Sequence, residues 1–549
     1  MRRRFGACIA SVVTLSFAAS AQAATVFTLT GHGWGHGIGM SQYGALGYAE
    51  HGWGYKQMLE HYFTGTHVAP LRGSVTERVL LASGPAIHFG DSAGMTMRDG
   101  SGAKTALAAG TYHLQPGGAA GHLQLVSRSG AVTKGLVAPV VISPRSQPLK
   151  LNDSAGIGFA GDHWHGSFRV IESGSSLLCV NVVGMEKYLR GVVPSEMPAS
   201  WMLPALKAQA VAARSYAFAT RNPAGDFDAY ADTRSQVYGP IEHEAAASTG
   251  AVLDTAHQVV WYKKTVATTF FSSSSGGRTA SEQAAWGTTF GEPYLKPVAD
   301  RYDSADGANP NHTWAPQTYS PAALARGLGL SGVVGSIRAT IDPASLRVLK
   351  MAVTSSAGTS TFTGGQIQGD LGLRSNYFRL LQRTLVAPTT AVAGAGFTIT
   401  GRAWPVPSGG LSLERRGGAG TPWQVVVASL HVGASGNFTA RVTPKANRYY
   451  RLVSAGAAIS PAVLVKVQPA LSLGVVTGHF RASMYPALPG EKLQLERHTA
   501  AGWAIGEAAT VGRHGHAAFT TPPATGLWRV RYPGDAIHLR GHSAAITVS

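Results

Sequence analysis

Glycine takes every second position of "GHGWGHGIGM", at Gly31, Gly33, Gly35, Gly37 and Gly39. That much glycine is unfavourable in a helix, so an extended segment is expected. In an extended chain alternate residues face opposite sides. One side is then bare backbone, open to close approach by another segment or a ligand. The other carries His32, Trp34, His36, Ile38 and Met40. No strand precedes these glycines within a βαβ unit and no helix opens on them as a dinucleotide fingerprint requires. The spacing of His32 and His36 suits zinc only on a helix. "HWH" at 163–165 offers further imidazoles, but there is no thiolate cluster and no H-E-x-x-H. His32 and His36 are therefore read as substrate-binding residues of a cleft wall, and no metal or cofactor is expected.

Glycine punctuates the whole chain, with 68 in 549 residues. Short alternating runs such as "ERVLLAS", "GHLQLVS" and "SFRVIES" predict a β-rich segment over about 73–180. The period then changes. "WMLPALKAQAVAARSYAFATRNP" sets Leu203, Leu206, Ala210, Ala213 and Ala217 on one helical face, with Pro204 in the first turn and Asn222 and Pro223 as the stop. A Pro/Thr-rich seam near 385 reads as a boundary. Beyond it, "LSLERR…W…GNFTARV…YYRLV" at 411–453 is echoed by "LQLERH…W…GHAAFTT…LWRVRY" at 493–532. The expected architecture is an α+β domain over 24–383 with a β-rich insertion. Two all-β immunoglobulin-like sandwich domains, 384–467 and 468–549, would follow.

The N-terminus reads as a secretory signal. "MRRR" is basic, "ACIASVVTLSFAAS" is a short apolar run, and "AQA" is a small-residue site for cleavage after Ala23. No later run of about 18 apolar residues appears, so no integral membrane segment is expected. Of the two cysteines, Cys8 lies in the signal, and Cys179 in "SLLCVNVVG" reads as a small core residue. A net charge of +18 on an exported protein points to an anionic partner such as a wall polymer, a saccharide or lipid headgroups. Nucleic acid is not expected, because no Lys/Arg-rich run with interleaved aromatics is present.

One acid stands out. In "GVVPSEMPASW", Glu196 lies between Pro194 and Pro198 with Val192, Val193, Met197 and Trp201 around it. Partial burial raises a carboxyl pKa toward the range a general acid needs. These residues alone leave a structural and a catalytic glutamate equally open. The following helix supplies Lys207, Gln209 and Arg214 as polar neighbours. "GDSAG" at 90–94 fits a nucleophile-elbow pattern, but the strand-like "MTMRDG" follows where the elbow needs a helix. "FFSSSSGGRT" ends a strand in a hydroxyl and glycine loop. There Ser273, Ser274 and the Gly276 and Gly277 amides suit hydrogen bonding to a substrate.

These segments resemble a known family. "YLRGVVPSEMPASWMLPALKAQAVAARSYAFA", "DTRSQVYGP" at 232–240, "FFSSSSGGRT", "EPYLKPVAD" and "LGLRSNYF" at 371–378 are similar to the SpoIID/LytB family of sporulation and cell-wall proteins. So is "GHGWGHGIGMSQYGALGYAEHGWGYKQMLEHYFTGT". The likeness covers about residues 30–382. In many members the glycine block closes the domain, whereas here it opens the chain, the arrangement of a circular permutation. The resemblance implies a SpoIID-like catalytic domain acting on peptidoglycan glycan strands as a lytic transglycosylase, with Glu196 as the catalytic residue. It implies a cleft lined by Gln42, Gln236 and Tyr238 together with the residues named above. The family also holds amidase enhancers, so a non-catalytic partner of a cell-wall amidase and a peptidoglycan-binding module are the alternatives. The implied location is the cell envelope, in the periplasm or cell wall, or outside the cell.

Overall fold

A computed structural model of the chain describes residues 20–152, 163–288 and 291–549. Most of the signal-like segment lies outside them. Strand β1 (Ala21–Gly31) leads into the glycine block, which ends in the short strand β2 (Met40–Ser41) and helix α1 (Gln42–Glu50). The expected cleavage after Ala23 falls inside β1.

The β-rich segment forms a seven-stranded and a six-stranded sheet, and strand Ser176–Gly184 of the larger sheet runs directly into helix α2 (Met185–Glu196). The end of α2 is set by sequence. Proline disfavours helical geometry in the residue before it, and Met197, which precedes Pro198, is extended at φ −140° and ψ 135°. Glu196 is thereby the last helical residue. Helix α3 (Leu203–Ala219) carries Pro204 in its first turn and packs against α1, helix Tyr55–Tyr62, α2 and helix Ala246–Asp254. An apolar stripe was the expectation, but α3 is buried nearly all round, with Gln209, Arg214 and Ser215 as covered as its alanines. Small side chains on its faces let four helices approach it at once.

Strand β3 (Phe271–Ser272) pairs in parallel with β2, which brings the serine and glycine loop against the glycine block. Strand β4 (Phe378–Pro388) runs antiparallel to β1 from Gly31 opposite Phe378 to Ala21 opposite Pro388. The glycine block thus starts where "LGLRSNYF" ends, the adjacency that a permuted order needs. On its other edge β4 pairs with β5 (Phe397–Trp404), so one five-stranded sheet runs through the expected boundary near 384.

Residues 24–383 surround two apolar cores. One joins the two large sheets to the helices, and the other gathers Phe27, Leu29, Trp314, Met351 and Phe378. Two further β-lined cores follow, one around Leu413, Phe438 and Tyr450 and one around Phe480, Leu495 and Val530. Cys179 is fully buried in the first core. Among the described residues no helix is long and apolar enough to cross a membrane.

Candidate functional site

Glu196 is half-buried at the end of α2, and its Oε1 accepts the backbone N–H of Val237 at 2.7 Å. Burial raises its pKa, while the Val237 N–H and the Gln42 amide, both favouring the charged form, pull it back only partly. Gln42 opens α1 and also donates to the Glu196 backbone carbonyl at 2.9 Å. Behind it stands Gln209, fully buried, whose Nε2 has no hydrogen-bond partner among the described residues.

Aromatic rings pack on the elements that hold this carboxylate. Tyr43 packs on Trp201 at 4.9 Å between ring centroids. Tyr216 of α3 feels the Glu196 charge, and its ring contacts Phe270 at 5.7 Å. Phe270 in turn meets His36 at 6.0 Å and the half-exposed Trp286 at 4.9 Å. His36 is thus linked through Phe270 to Tyr216, the ring that feels the Glu196 charge. Burial and the nearby Arg347 charge push its pKa down to about 4, so it is neutral, and its Nδ1 accepts the Ile38 N–H at 3.0 Å. His32 stands apart, packed on Tyr377 at 4.9 Å with Nδ1 facing the His312 carbonyl.

The glycine block is not the extended strand expected. Gly33, Gly35, Gly37 and Gly39 all have positive φ, from 69° to 98°, so the chain coils between loops instead of showing two opposite faces. Close approach explains the glycines. A Cβ on Gly39 would lie 2.2 Å from the Phe270 carbonyl oxygen, and one on Gly37 would lie 1.9 Å from an Arg347 guanidinium nitrogen.

Beneath the block lies a buried network built on Asp303 and on Asp300, the last residue of "EPYLKPVAD". Asp303 accepts from Ser41 Oγ at 2.7 Å, Ser274 Oγ at 2.9 Å, the N–H groups of Ser275 and Gly276, and His312 Nδ1 at 2.8 Å. These donors, led by His312, hold its pKa below the usual carboxylate range despite burial. Neighbouring Asp300, bonded to Tyr62 and Ser275, is pushed up to about 7 by burial and by Asp303. Ser41 also caps α1, accepting from the Gly44 N–H. Asp303 therefore fixes the helix start that presents Gln42 to Glu196.

Several expected lining residues face elsewhere. Gln236 is buried, with its amide on Tyr188 and the Ala213 carbonyl, and Tyr238 is buried against Trp164 with its hydroxyl on Asn181. Only the backbone beside them, at Val237, reaches Glu196. Ser274 is spent on Asp303. The Gly276 N–H is spent on Asp303 and Ser274, and the Gly277 N–H on Ser275. Arg214 clamps Glu186 through two nitrogens and caps three carbonyls, about 15 Å along α2 from Glu196 at 1.5 Å per residue. Lys207 pairs with Asp254 at 2.9 Å. Most of these share one cause: a buried polar group seeks a partner inside the protein, though the Gln236 Oε1 has none among the described residues. Ser273 stays half-buried at the edge of the site, its carbonyl accepting the Tyr43 N–H. Of the residues expected in the cleft, Gln42 bonds to Glu196 and to Gln209, Ser273 holds the Tyr43 N–H beside Gln42, and His36 lies on Phe270 and Trp286. Tyr43, Tyr216, Phe270 and Trp286 were missed.

Other motifs fall away from the site. His163 and His165 pair with Glu242 and Glu244. "GDSAG" turns between two strands with Asp91 bonded to the Ala93 N–H. A cavity of about 620 Å³ lies beside Trp286, between residues 283–288 and Val348, Gly364 and Asn376, and Glu196 does not line it. No group of three or more His, Cys, Asp and Glu among the described residues is placed to hold a metal ion.

Residues 173–262, which hold α2, Glu196, α3 and the Val237 loop, match the family described as stage II sporulation protein, SpoIID. An uncharacterised protein of Brachyspira hyodysenteriae is 36% identical over 146 residues, 26% of this chain and 38% of that protein. The amidase enhancer of Bacillus subtilis is 30% identical over 208 residues, 35% of this chain and 28% of its own length. Stage II sporulation protein D of Bacillus subtilis is 30% identical over 220 residues, 36% of this chain and 61% of its own. The chain thus spans less than two thirds of each of these relatives. The likeness to SpoIID and amidase-enhancer proteins is thus carried by the segment built around Glu196.

Proposed function

We propose that this is an exported cell-envelope protein that cuts peptidoglycan glycan strands as a lytic transglycosylase, with Glu196 as its single acid and base. The observation that carries the reading is a half-buried carboxyl of raised pKa, held by Val237 and Gln42, whose charge reaches the Tyr216 ring. Hydrolysis of a glycoside normally takes two carboxylates. One suffices when the sugar supplies its own nucleophile. Protonated Glu196 gives its proton to the bridging oxygen as the C1–O bond breaks. The same carboxylate then takes the proton of the muramyl 6-hydroxyl, whose oxygen closes on C1 as an anhydro ring, and no water is consumed. The aromatic rings would stack on sugar faces and hold the strand. In this reading the segment before Ala24 is a removed signal, residues 24–383 are the catalytic unit, and 384–467 and 468–549 are immunoglobulin-like sandwiches on the wall side.

The similarity to an amidase enhancer favours one competing role, stimulation of a cell-wall amidase without cleavage. Purified protein incubated with glycan strands free of stem peptides separates the two. Anhydro-muramyl ends support the transglycosylase. Intact strands, with faster peptide release when a separate amidase acts on whole peptidoglycan, support the enhancer.

A further inference from the structure

The repeat in the last two units extends to their outer faces. In the first unit, β6 (Ser412–Arg416) lies between β7 (Gln424–Val427) and β8 (Arg448–Ser454). Glu414 stands opposite Val425 on one side and Arg451 on the other. The next pair on that face sets Arg416 opposite Tyr449, with Trp423 across it. In the second unit, β9 (Lys492–Thr499) lies between β10 (Gly502–Thr510) and β11 (Gly526–Tyr532). There Glu496 stands opposite Ile505 and Arg529, and His498 opposite Trp503.

The contacts repeat with the register. Arg451 lies over Trp423 at 4.1 Å and is held by Glu414; Arg529 lies over Trp503 at 4.1 Å and is held by Glu496. Leu413 and Leu495, pointing the other way, are fully buried, so these are the outward faces. Each face also leaves a large aliphatic side chain in solvent, Val425 at 59% and Ile505 at 52% exposure. A ladder serving only stability has no need to expose a matched aliphatic residue on both units. The charge is also unbalanced. Arg416 has two aromatic rings and no carboxylate partner among the described residues. Residues 384–549 hold 15 Lys and Arg against 5 Asp and Glu.

We propose that each unit binds a carboxylated glycan strand on this face. Sugar rings rest on the half-exposed indole and its aliphatic neighbour, and carboxylates meet the guanidiniums beside them. The choice of glycan rests on the cell-wall reading above, since a muramyl residue stripped of its peptide carries a free lactyl carboxylate. The binding claim needs no cleavage.

The test uses the full chain carrying Glu196→Gln, so that strands stay intact, and measures binding of peptide-free glycan strands by calorimetry. Adding Trp423→Ala and Trp503→Ala is expected to weaken binding about tenfold or more, as loss of central aromatic contacts does. Because those changes disturb the sheets, Val425→Glu with Ile505→Glu is the second variant. It alters only exposed positions, so the melting temperature should hold while affinity drops by a similar factor. Strands with amidated carboxylates should bind as weakly as the variants do. Full affinity in both double variants, equal binding of amidated strands, or binding only to a phosphate polymer or to a second copy of the chain would overturn the proposal. Cleavage is read separately on the chain with Glu196 intact, so failure of the catalytic reading leaves this result interpretable.

Discussion

Val237 holds Glu196: the N–H of one donates to Oε1 of the other at 2.7 Å, tying the end of α2 to the loop after Tyr230. This bond favours the carboxylate, and burial favours the acid more strongly, so the pKa stays above its ordinary value. Between the unfolded and folded pKa values the native state holds the proton more tightly than the unfolded chain does. Stability from this residue is therefore lost as pH rises through that window. Glu196→Gln should melt no lower than wild type at pH 7, with any advantage gone below about pH 4, where both states are protonated. Thermal melts at the two pH values check this. Cleavage should also decline as pH rises through the raised pKa, since the reaction starts from the acid.

Arg214 acts on the fold. It is 1% exposed, so replacing it with alanine takes the guanidinium from Glu186, which keeps only the His257 N–H among the described residues, and a donor from three carbonyls. Removing one member of a buried pair costs about 3–5 kcal/mol. Denaturant titration of Arg214→Ala should show a loss of that order, while turnover per folded molecule stays near wild type.

Gly39→Ala places a Cβ 2.2 Å from the Phe270 carbonyl at a φ of +69°. Strain and displacement together should cost about 2 kcal/mol or more. Because Phe270 carries Tyr216 and Trp286, near-ultraviolet circular dichroism should change with the melting temperature. An unchanged spectrum and melt would contradict the packing described.

Asp300 sets a second pH dependence. Its folded pKa of about 7 lies above the unfolded value, so its contribution falls as pH rises from about 4 to 7. His312, raised by Asp303, stabilises below its unfolded value and loses that contribution as pH passes its folded value. Both act in the same direction, and wild type should lose stability between pH 5 and 8. Asp300→Asn should flatten that loss in melts taken across the range.

The sequence made some of this readable and hid the rest for physical reasons. Pro204 and the helical period announced α3 and alternation announced the sheets, because both are local rules, whereas the helix ending at Glu196 was not expected, since Pro194 lies inside it. The polar residues of "DTRSQVYGP" looked like cleft lining, yet Gln236 and Tyr238 turn inward, since loop residues carry no periodicity that tells inside from outside. The arginine on α3 failed likewise, because its partner Glu186 is set by helix packing. Tyr216 was within reach: it follows Gln209 by seven residues, two turns on one helical face. Asp303 was not, because it matters only once Ser41, Ser274 and His312 converge on it from distant segments.

The most direct test of the account is the product analysis of Glu196→Gln. The change keeps size and the Val237 hydrogen bond but removes the ionisable proton. Losing general acid catalysis alone costs about 10²–10⁴-fold, and one residue performing both transfers should fall at the upper end or beyond. Mass spectrometry of peptide-free strands should find anhydro-muramyl ends with wild type and a rate lower by about that factor with the variant, at unchanged glycan binding. Anhydro ends formed by the variant at the wild-type rate would contradict the account.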